Sequence, residues 1–158
     1  MSEEKTFSVA DAHRKFAVDL FNRTWELIEK KDRSDEETEL MIHAAHASCY
    51  HWSVVGTAKN RQAGEWQIAR VYCLVKRPEA ALHHARVCLQ LTEANDIKDF
   101  DLAFAYEAMA RASALNGNRA DFAKYYALAE QAAAGIVKPG DRDYFLSDLK
   151  GGDWFGMR

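Results

Sequence analysis

Proline and glycine are scarce in this chain of 158 residues, which contains only two prolines and eight glycines. So few chain-breaking residues exclude a collagen-like or linker-like protein and leave long stretches free to form regular structure. Apolar residues make up 48% of the sequence and charged residues 28%, which is a globular composition. Because a domain of this size buries roughly 70% of the surface of its unfolded chain, we expect one domain over residues 1–158.

Cysteine, long apolar runs and basic clusters are also scarce. Cys49, Cys73 and Cys88 are odd in number and form no C-x-x-C pair, which indicates reduced thiols. No segment reaches the roughly 18 uninterrupted apolar residues of a membrane span, and the N-terminus, MSEEKTFSVADAHRKF, lacks the apolar core of a signal peptide. The net charge of −3 comes from interspersed signs, so no basic run can follow a phosphate backbone. These absences predict a cytoplasmic protein that binds neither membrane nor nucleic acid.

Apolar residues recur with a spacing near 3.6 from end to end, which predicts an all-α fold of about seven antiparallel helices. Ser34, followed three residues later by Glu37, predicts the N-cap of the second helix. Gly56 predicts a left-handed cap at the end of that helix, and Asp99 predicts the N-cap of the fifth helix. We expect helices over residues 8–31, 35–56, 60–75, 78–94, 99–116, 120–134 and 141–150, followed by an irregular tail.

The third and fourth helices repeat as the fifth and sixth at a period of 41 residues. Each copy places a large residue beside a small one, then a turn, then inward residues on the returning helix. The equivalent pairs are Ile68 and Met109, Ala69 and Ala110, Tyr72 and Ser113, Lys76 and Gly117, Ala81 and Phe122, Ala85 and Tyr126, and Cys88 and Ala129.

This pattern resembles the tetratricopeptide repeat, although the period is longer than the usual length of about 34 residues. The resemblance implies antiparallel helical hairpins stacked into a short right-handed superhelix. A long helix pair would span residues 8–56, two repeat-like pairs would span 60–134, and a C-terminal cap and tail would span 139–158. The chain is also similar to small bacterial proteins of this class, which implies no particular activity.

In proteins that this sequence resembles, the first helix of each repeat lines a concave groove that holds a peptide or a partner helix. The resemblance places Trp66 and Arg70 on the groove side of the third helix, and Phe104, Glu107 and Arg111 on the fifth. Two guanidinium groups beside aromatic side chains predict a site for a carboxylate-bearing peptide. In the alternative interpretation, Glu107 and Arg111 form a surface ion pair four residues apart and Trp66 belongs to the core.

The stretch HAAHASCYHW, residues 43–52, raises the possibility of a metal site. Glu39, His43 and His46 have the spacings of four and three residues that bring side chains together on a helix, so they could bind Zn²⁺ or Fe²⁺. The alternative is a polar face on which Glu39 pairs with His43. Cys49 lies three residues from His46, but a cysteine on a helix flank is more often packing material than a nucleophile.

No nucleophile elbow, glycine-rich phosphate loop or marked pair of acids is present, so the sequence predicts no catalytic residue. The leading hypothesis is a non-catalytic protein–protein interaction module that uses the groove between the first, third and fifth helices. One alternative is a metal-binding protein or small metalloenzyme, and another is a protein that self-associates through the first helix or the tail. The aromatic C-terminus either caps the helical stack or forms an interface.

Overall fold

Seven α-helices follow one another through residues 3–158, the part of the chain that the computed structural model describes, and this part contains no β-strand. Short turns connect the helices, so that consecutive helices form antiparallel hairpins. The helices are α1 (Val9–Glu29), α2 (Asp35–Val55), α3 (Ala58–Leu74), α4 (Pro78–Ala94), α5 (Asp99–Leu115), α6 (Arg119–Ala134) and α7 (Pro139–Lys150). The predicted all-α fold is confirmed.

The start of α2 follows the local signals in the sequence, whereas its end departs from them. Ser34 caps the helix with a complete capping box, in which its hydroxyl accepts from the Glu37 amide at 3.1 Å. The predicted left-handed cap at Gly56 is wrong, because this residue is extended with φ −88° and ψ 174°. Thr57 already serves as the N-cap of α3, so the two-residue connection runs extended into the next helix.

The start of α5 also differs from the prediction. Asp99 is the first helical residue rather than the N-cap, and it has a left-handed φ of 62°. Its carboxylate accepts from the Phe100 amide at 2.7 Å and from the Val137 amide at 3.3 Å. Aspartate tolerates this backbone region better than most residues because its short side chain bonds locally.

The two copies of the 41-residue repeat share the same turn between their helices. Lys76 and Gly117, which are equivalent positions, both have left-handed backbone, with φ of 57° and 73°. In each turn the following amide bonds to the carbonyl five residues earlier at 3.0 Å, from Arg77 to Tyr72 and from Asn118 to Ser113. This is the hydrogen bond of a Schellman-type helix end. The correspondence predicted from the sequence therefore extends to the backbone.

Helix α5 lies at the centre of the fold and is buried along most of its length. Each odd-numbered helix from α1 to α5 packs mainly on the even-numbered helix that follows it, and α3 also packs directly against α5. The buried face of α5 is rich in alanine, including Ala103, Ala105 and Ala110, which are fully buried. Small side chains let neighbouring helix axes approach closely. Glu107 and Arg111 are the two charged side chains that are buried on this helix.

The C-terminal segment folds back onto the end of the stack. Helix α7 packs on α5 and α6 and buries Phe145 and Leu149. After α7 the tail returns so that Trp154, only 5% exposed, packs against the rings of Phe122 and Tyr126. Of the two alternatives for this aromatic segment, the structure places it as a cap.

Candidate functional site

Glu107 is the point at which the predicted groove residues meet. Its carboxylate accepts from Trp66 Nε1 at 2.9 Å, from Arg70 Nη2 at 2.8 Å and from Arg111 Nε at 2.6 Å. The ring of Phe104, one turn earlier on α5, lies edge-on to Trp66 with a centroid separation of 5.2 Å. The structure therefore brings together all five residues that the resemblance placed in the groove.

The two arginines also donate hydrogen bonds to the C-terminal segment. Arg70 donates to both carboxylate oxygens of Asp148, at 2.6 and 3.3 Å. Arg111 donates to the backbone carbonyl oxygens of residues 148, 151 and 153, at 3.2, 3.2 and 3.0 Å. The guanidinium groups predicted to hold a peptide carboxylate are thus engaged within the chain itself. Helix α7 and the tail occupy this part of the predicted groove.

Burial and charge in this cluster favour its ionised form. The Glu107–Arg111 ion pair of the alternative interpretation is present, but its side chains are 1% and 4% exposed, so it is buried and not on the surface. Trp66, 6% exposed, belongs to the core, as that alternative expected. Burial opposes ionisation of Glu107, but the charges of Arg70 and Arg111 outweigh it, and the pKa of Glu107 lies well below its ordinary value. Burial likewise opposes the charged form of Arg70, while Glu107 and Asp148 raise its pKa. Two guanidinium and two carboxylate groups balance, which makes a buried cluster of no net charge.

The open part of the groove is an aromatic pocket with a volume of about 270 Å³. It lies beside the buried cluster, and helices α1, α3, α5 and α7 all contribute to its wall. We refer to it below as the aromatic pocket. Its lining consists of Phe21, Trp25, Gln62, Ala63, Trp66, Phe100, Asp101, Phe104 and Tyr144.

The predicted site includes only two of these lining residues, Trp66 and Phe104. Phe21 and Trp25 are four residues apart on α1, and this helical spacing predicts that both side chains face inward. It does not predict that they line a pocket. Phe100 and Tyr144 lie 44 residues apart in the sequence, yet their ring centroids are 6.1 Å apart. No local pattern predicts this contact, because it depends on how α7 docks on α5.

A second, smaller depression of about 160 Å³ continues the groove along α1 and α3. It shares Phe21 and Ala63 with the aromatic pocket and adds two side-chain amides, Asn22 and Asn60. Val18 and Trp52 complete its lining. The open surface is therefore longer than a single cavity and follows the direction of the helices.

The residues of the predicted metal site do not converge. Glu39 and His43 are exposed, and the Glu39 carboxylate lies 3.9 Å from Arg77. His46 turns instead towards α3, where its Nε2 lies 2.7 Å from the Tyr72 hydroxyl. Across residues 3–158, no three histidine, cysteine, aspartate or glutamate side chains are arranged to hold a metal ion. Glu39, His43 and His46, predicted as ligands of Zn²⁺ or Fe²⁺, therefore do not meet, because tertiary packing gives His46 a different partner.

A polar cluster that the sequence does not predict joins α2, α3 and α4. His84 Nδ1 donates to the Glu65 carboxylate at 2.6 Å, and the rings of His46 and His84 lie 5.3 Å apart. The Cys49 thiol donates to the other oxygen of Glu65 at 3.7 Å. Burial, followed by the charge of Glu65, raises the pKa of Cys49 to about 12. The thiol therefore stays protonated near neutral pH, which opposes a nucleophilic role.

Within the described part of the chain, no helix is long and apolar enough to cross a membrane. Comparison of this chain with protein-family models, with curated proteins and with solved structures finds no match.

Proposed function

We propose that this protein is a non-catalytic protein–protein interaction module that binds a peptide or a partner helix along α1, α3 and α5. The observation that carries the proposal is the aromatic pocket, which opens on the helix face where the tetratricopeptide-like arrangement would place a groove. Tyr144, on its wall, is 55% exposed. Aromatic side chains in a concave, largely apolar site supply most of the binding energy in typical interfaces.

The size of the pocket supports a side-chain anchor over a larger ligand. Its volume of about 270 Å³ lies below the range of roughly 300–1,000 Å³ that is usual for small-molecule and cofactor sites. The neighbouring depression, which shares Phe21 and Ala63, offers a second contact along the same direction. The ligand would therefore place one anchor side chain in the aromatic pocket and continue along the groove.

This proposal changes the ligand chemistry expected from the sequence. Arg70 and Arg111 donate to Glu107 and to the C-terminal segment, so a carboxylate ligand would have to displace internal partners. Leaving such buried charges unpaired costs about 3–5 kcal/mol. The anchor group is accordingly assigned to the aromatic pocket and not to the arginine pair.

Plugging the pocket tests the proposal. Ala63 is partly buried on the pocket wall, so Ala63→Leu adds a branched side chain to the cavity without removing a core group. Peptides would be selected from a displayed random library on the wild-type protein. Each selected peptide would then be titrated into the wild type and into Ala63→Leu, with intrinsic tryptophan fluorescence as the readout. We expect Ala63→Leu to raise Kd at least about tenfold, which corresponds to about 1.4 kcal/mol.

The matched control places the same substitution on a surface outside the pocket. Ala127 is exposed on α6, a helix that does not line the pocket, and Ala127→Leu should leave Kd unchanged. If no selected peptide distinguishes Ala63→Leu from Ala127→Leu, the aromatic pocket is not the binding site and the proposal fails.

Self-association is a second candidate, favoured by exposed apolar side chains on the α1–α2 hairpin. Val9 and Phe16, two turns apart on α1, are 75% and 49% exposed, and Tyr50 on α2 is 62% exposed. The tail offers less apolar surface for this purpose, since Trp154 packs inside the chain. Sedimentation equilibrium would show a dimer that Val9→Ser with Phe16→Ser dissociates; a concentration-independent monomer contradicts this candidate.

A further inference from the structure

We infer that the aromatic pocket takes the side chain of an arginine residue on the protein partner. This inference rests on the proposed function and specifies the anchor that the partner presents. It depends on three features of the pocket: the chemistry of its wall, the charges around it, and the way in which this chain packs its own arginines.

The fold repeatedly places its own arginines against aromatic rings. The guanidinium of Arg70 lies over Trp66, a pocket residue, at 5.0 Å from the ring centroid. Arg111 lies over Trp154 at 4.0 Å, and Arg158 lies over Tyr126 at 5.5 Å. A guanidinium is planar and more weakly hydrated than an ammonium, so it enters an aromatic site at a lower desolvation cost than lysine. The rings of the aromatic pocket offer the same kind of surface to an incoming side chain.

The charges next to the pocket favour a cation. Asp101 is a lining residue, and among residues 3–158 its carboxylate pairs with Lys59, at 3.3 Å, whose side chain is 69% exposed. Glu29 is exposed on α1 and forms no ion pair within residues 3–158. Burial and the charges of Asp148 and Glu29 raise the pKa of the Tyr144 hydroxyl on the pocket wall, and the charge of Arg70 partly opposes them. An arginine head group would therefore meet acidic neighbours as well as aromatic faces.

An anionic anchor would meet two arginines whose charges are already balanced within the chain. The charges of Arg70 and Arg111 are balanced by Glu107 and Asp148 inside the buried cluster, with separations of 2.6 to 2.8 Å. Lys59 lies beside the lining residue Asp101 and pairs with its carboxylate at 3.3 Å, so the two charges offset each other in the free protein. The charges therefore favour binding of a cationic ligand over an anionic one. The aromatic wall favours arginine over lysine, because lysine is more strongly hydrated.

The test uses three capped amino acids with unbranched side chains as probes, of which arginine and citrulline have the same length. Nα-acetyl-arginine methylamide carries the charge, Nα-acetyl-citrulline methylamide keeps the planar shape without the charge, and Nα-acetyl-norleucine methylamide is purely apolar. Each is titrated into the full-length ¹⁵N-labelled protein while the indole N–H signals of Trp25 and Trp66 are followed. We expect the arginine probe to bind about tenfold more tightly than citrulline or norleucine, as a desolvated cation–π contact predicts.

Two variants locate the binding and its charge dependence. Ala63→Leu should abolish the indole shifts caused by the arginine probe, whereas Ala127→Leu should preserve them. Asp101→Asn should weaken the arginine probe about threefold or more and leave the norleucine probe unchanged, because only the charged ligand interacts with the carboxylate. Asp96→Asn, at a residue in the α4–α5 turn that does not line the pocket, is the matched control.

Each result has a defined meaning. If the arginine and norleucine probes bind equally well and both lose binding in Ala63→Leu, the arginine assignment is overturned. The proposed function then remains, with an apolar anchor in the pocket. Arginine-induced shifts that persist in Ala63→Leu, or the absence of shifts with all three probes, also overturn the assignment. The proposed function fails separately, when no selected peptide depends on the pocket.

Discussion

Replacing Glu107 by glutamine tests how much the buried cluster contributes to stability. The amide keeps the size and shape of the side chain but removes the charge that Arg70 and Arg111 share at 2.8 and 2.6 Å. Removing one partner of a buried ion pair costs about 3–5 kcal/mol. Because one carboxylate oxygen accepts from both arginines, and an amide oxygen in its place can still accept both hydrogen bonds, we expect the lower limit, a loss of about 3 kcal/mol in the free energy of unfolding. In a domain of this size that loss lowers Tm by roughly 6–12 °C.

Urea denaturation followed by far-ultraviolet circular dichroism measures this change, and an exposed pair provides the control. Lys15 and Asp19 also form an ion pair at a spacing of four residues, at 2.8 Å, but their side chains are 63% and 55% exposed. Asp19→Asn should cost less than about 1 kcal/mol. If Glu107→Gln is no more costly than Asp19→Asn, burial does not make this cluster important and the reasoning is refuted.

The same carboxylate also predicts a pH dependence. Its pKa is lowered by folding, so the unfolded chain binds more protons between the two pKa values, and stability falls as the pH decreases below the ordinary value of 4.5. Glutamine cannot titrate. The difference in the free energy of unfolding between the wild type and Glu107→Gln should therefore shrink as the pH falls through this interval, and a constant difference contradicts the assignment.

Three further substitutions test the C-terminal cap and the histidine cluster. Gly152 has a φ of 74°, and a Cβ there would lie 2.8 Å from Arg111 Nη1. Gly152→Ala should therefore lower stability by about 1–2 kcal/mol or more in urea denaturation, whereas Gly140→Ala, with no atom within 4 Å of its Cβ, should not. Trp154→Ala removes a buried aromatic from the cap and should cost about 3–5 kcal/mol in the same assay; a cost below about 1 kcal/mol, as at surface sites, contradicts its role. Burial and then the charge of His84 lower the pKa of His46, so stability should fall as the pH drops below the ordinary value of 6.5. Thermal denaturation should show a smaller fall in His46→Gln, and equal pH slopes in the two proteins would exclude His46 as the titrating group.

The helices could be predicted because their signals lie within a few residues. Pro78 begins α4, as a proline in the first helical turn should, and the predicted bounds of 78–94 match the structure. The Ser34 capping box is equally local. The predictions at Gly56 and Asp99 were wrong because, at these two residues, contacts with another segment set the backbone conformation. Gly56 leads directly into the next N-cap, and Asp99 bonds to the Val137 amide 38 residues away.

The candidate site was predictable only in part, for a related reason. The 41-residue period brings Arg70 and Arg111 to equivalent places, and both donate to the same carboxylate. The period carries no information about their other partners. Asp148, which bonds to Arg70, lies 78 residues further along the chain on a helix outside the repeat. A sequence pattern that matches a groove therefore does not indicate whether the chain itself fills that groove.

The sequence by itself determined the all-α fold, the turns at Lys76 and Gly117, and the equivalent positions of Arg70 and Arg111 in the two repeats. The tertiary structure alone decided that the arginines bond internally, that His46 faces Tyr72 and not Glu39 or His43, and that the open surface is aromatic. Helix formation and repeat equivalence follow from contacts within a few residues and from a fixed period. A buried charge or a histidine takes whichever partner the returning chain brings within about 3 Å, and that partner is set by packing over the whole molecule.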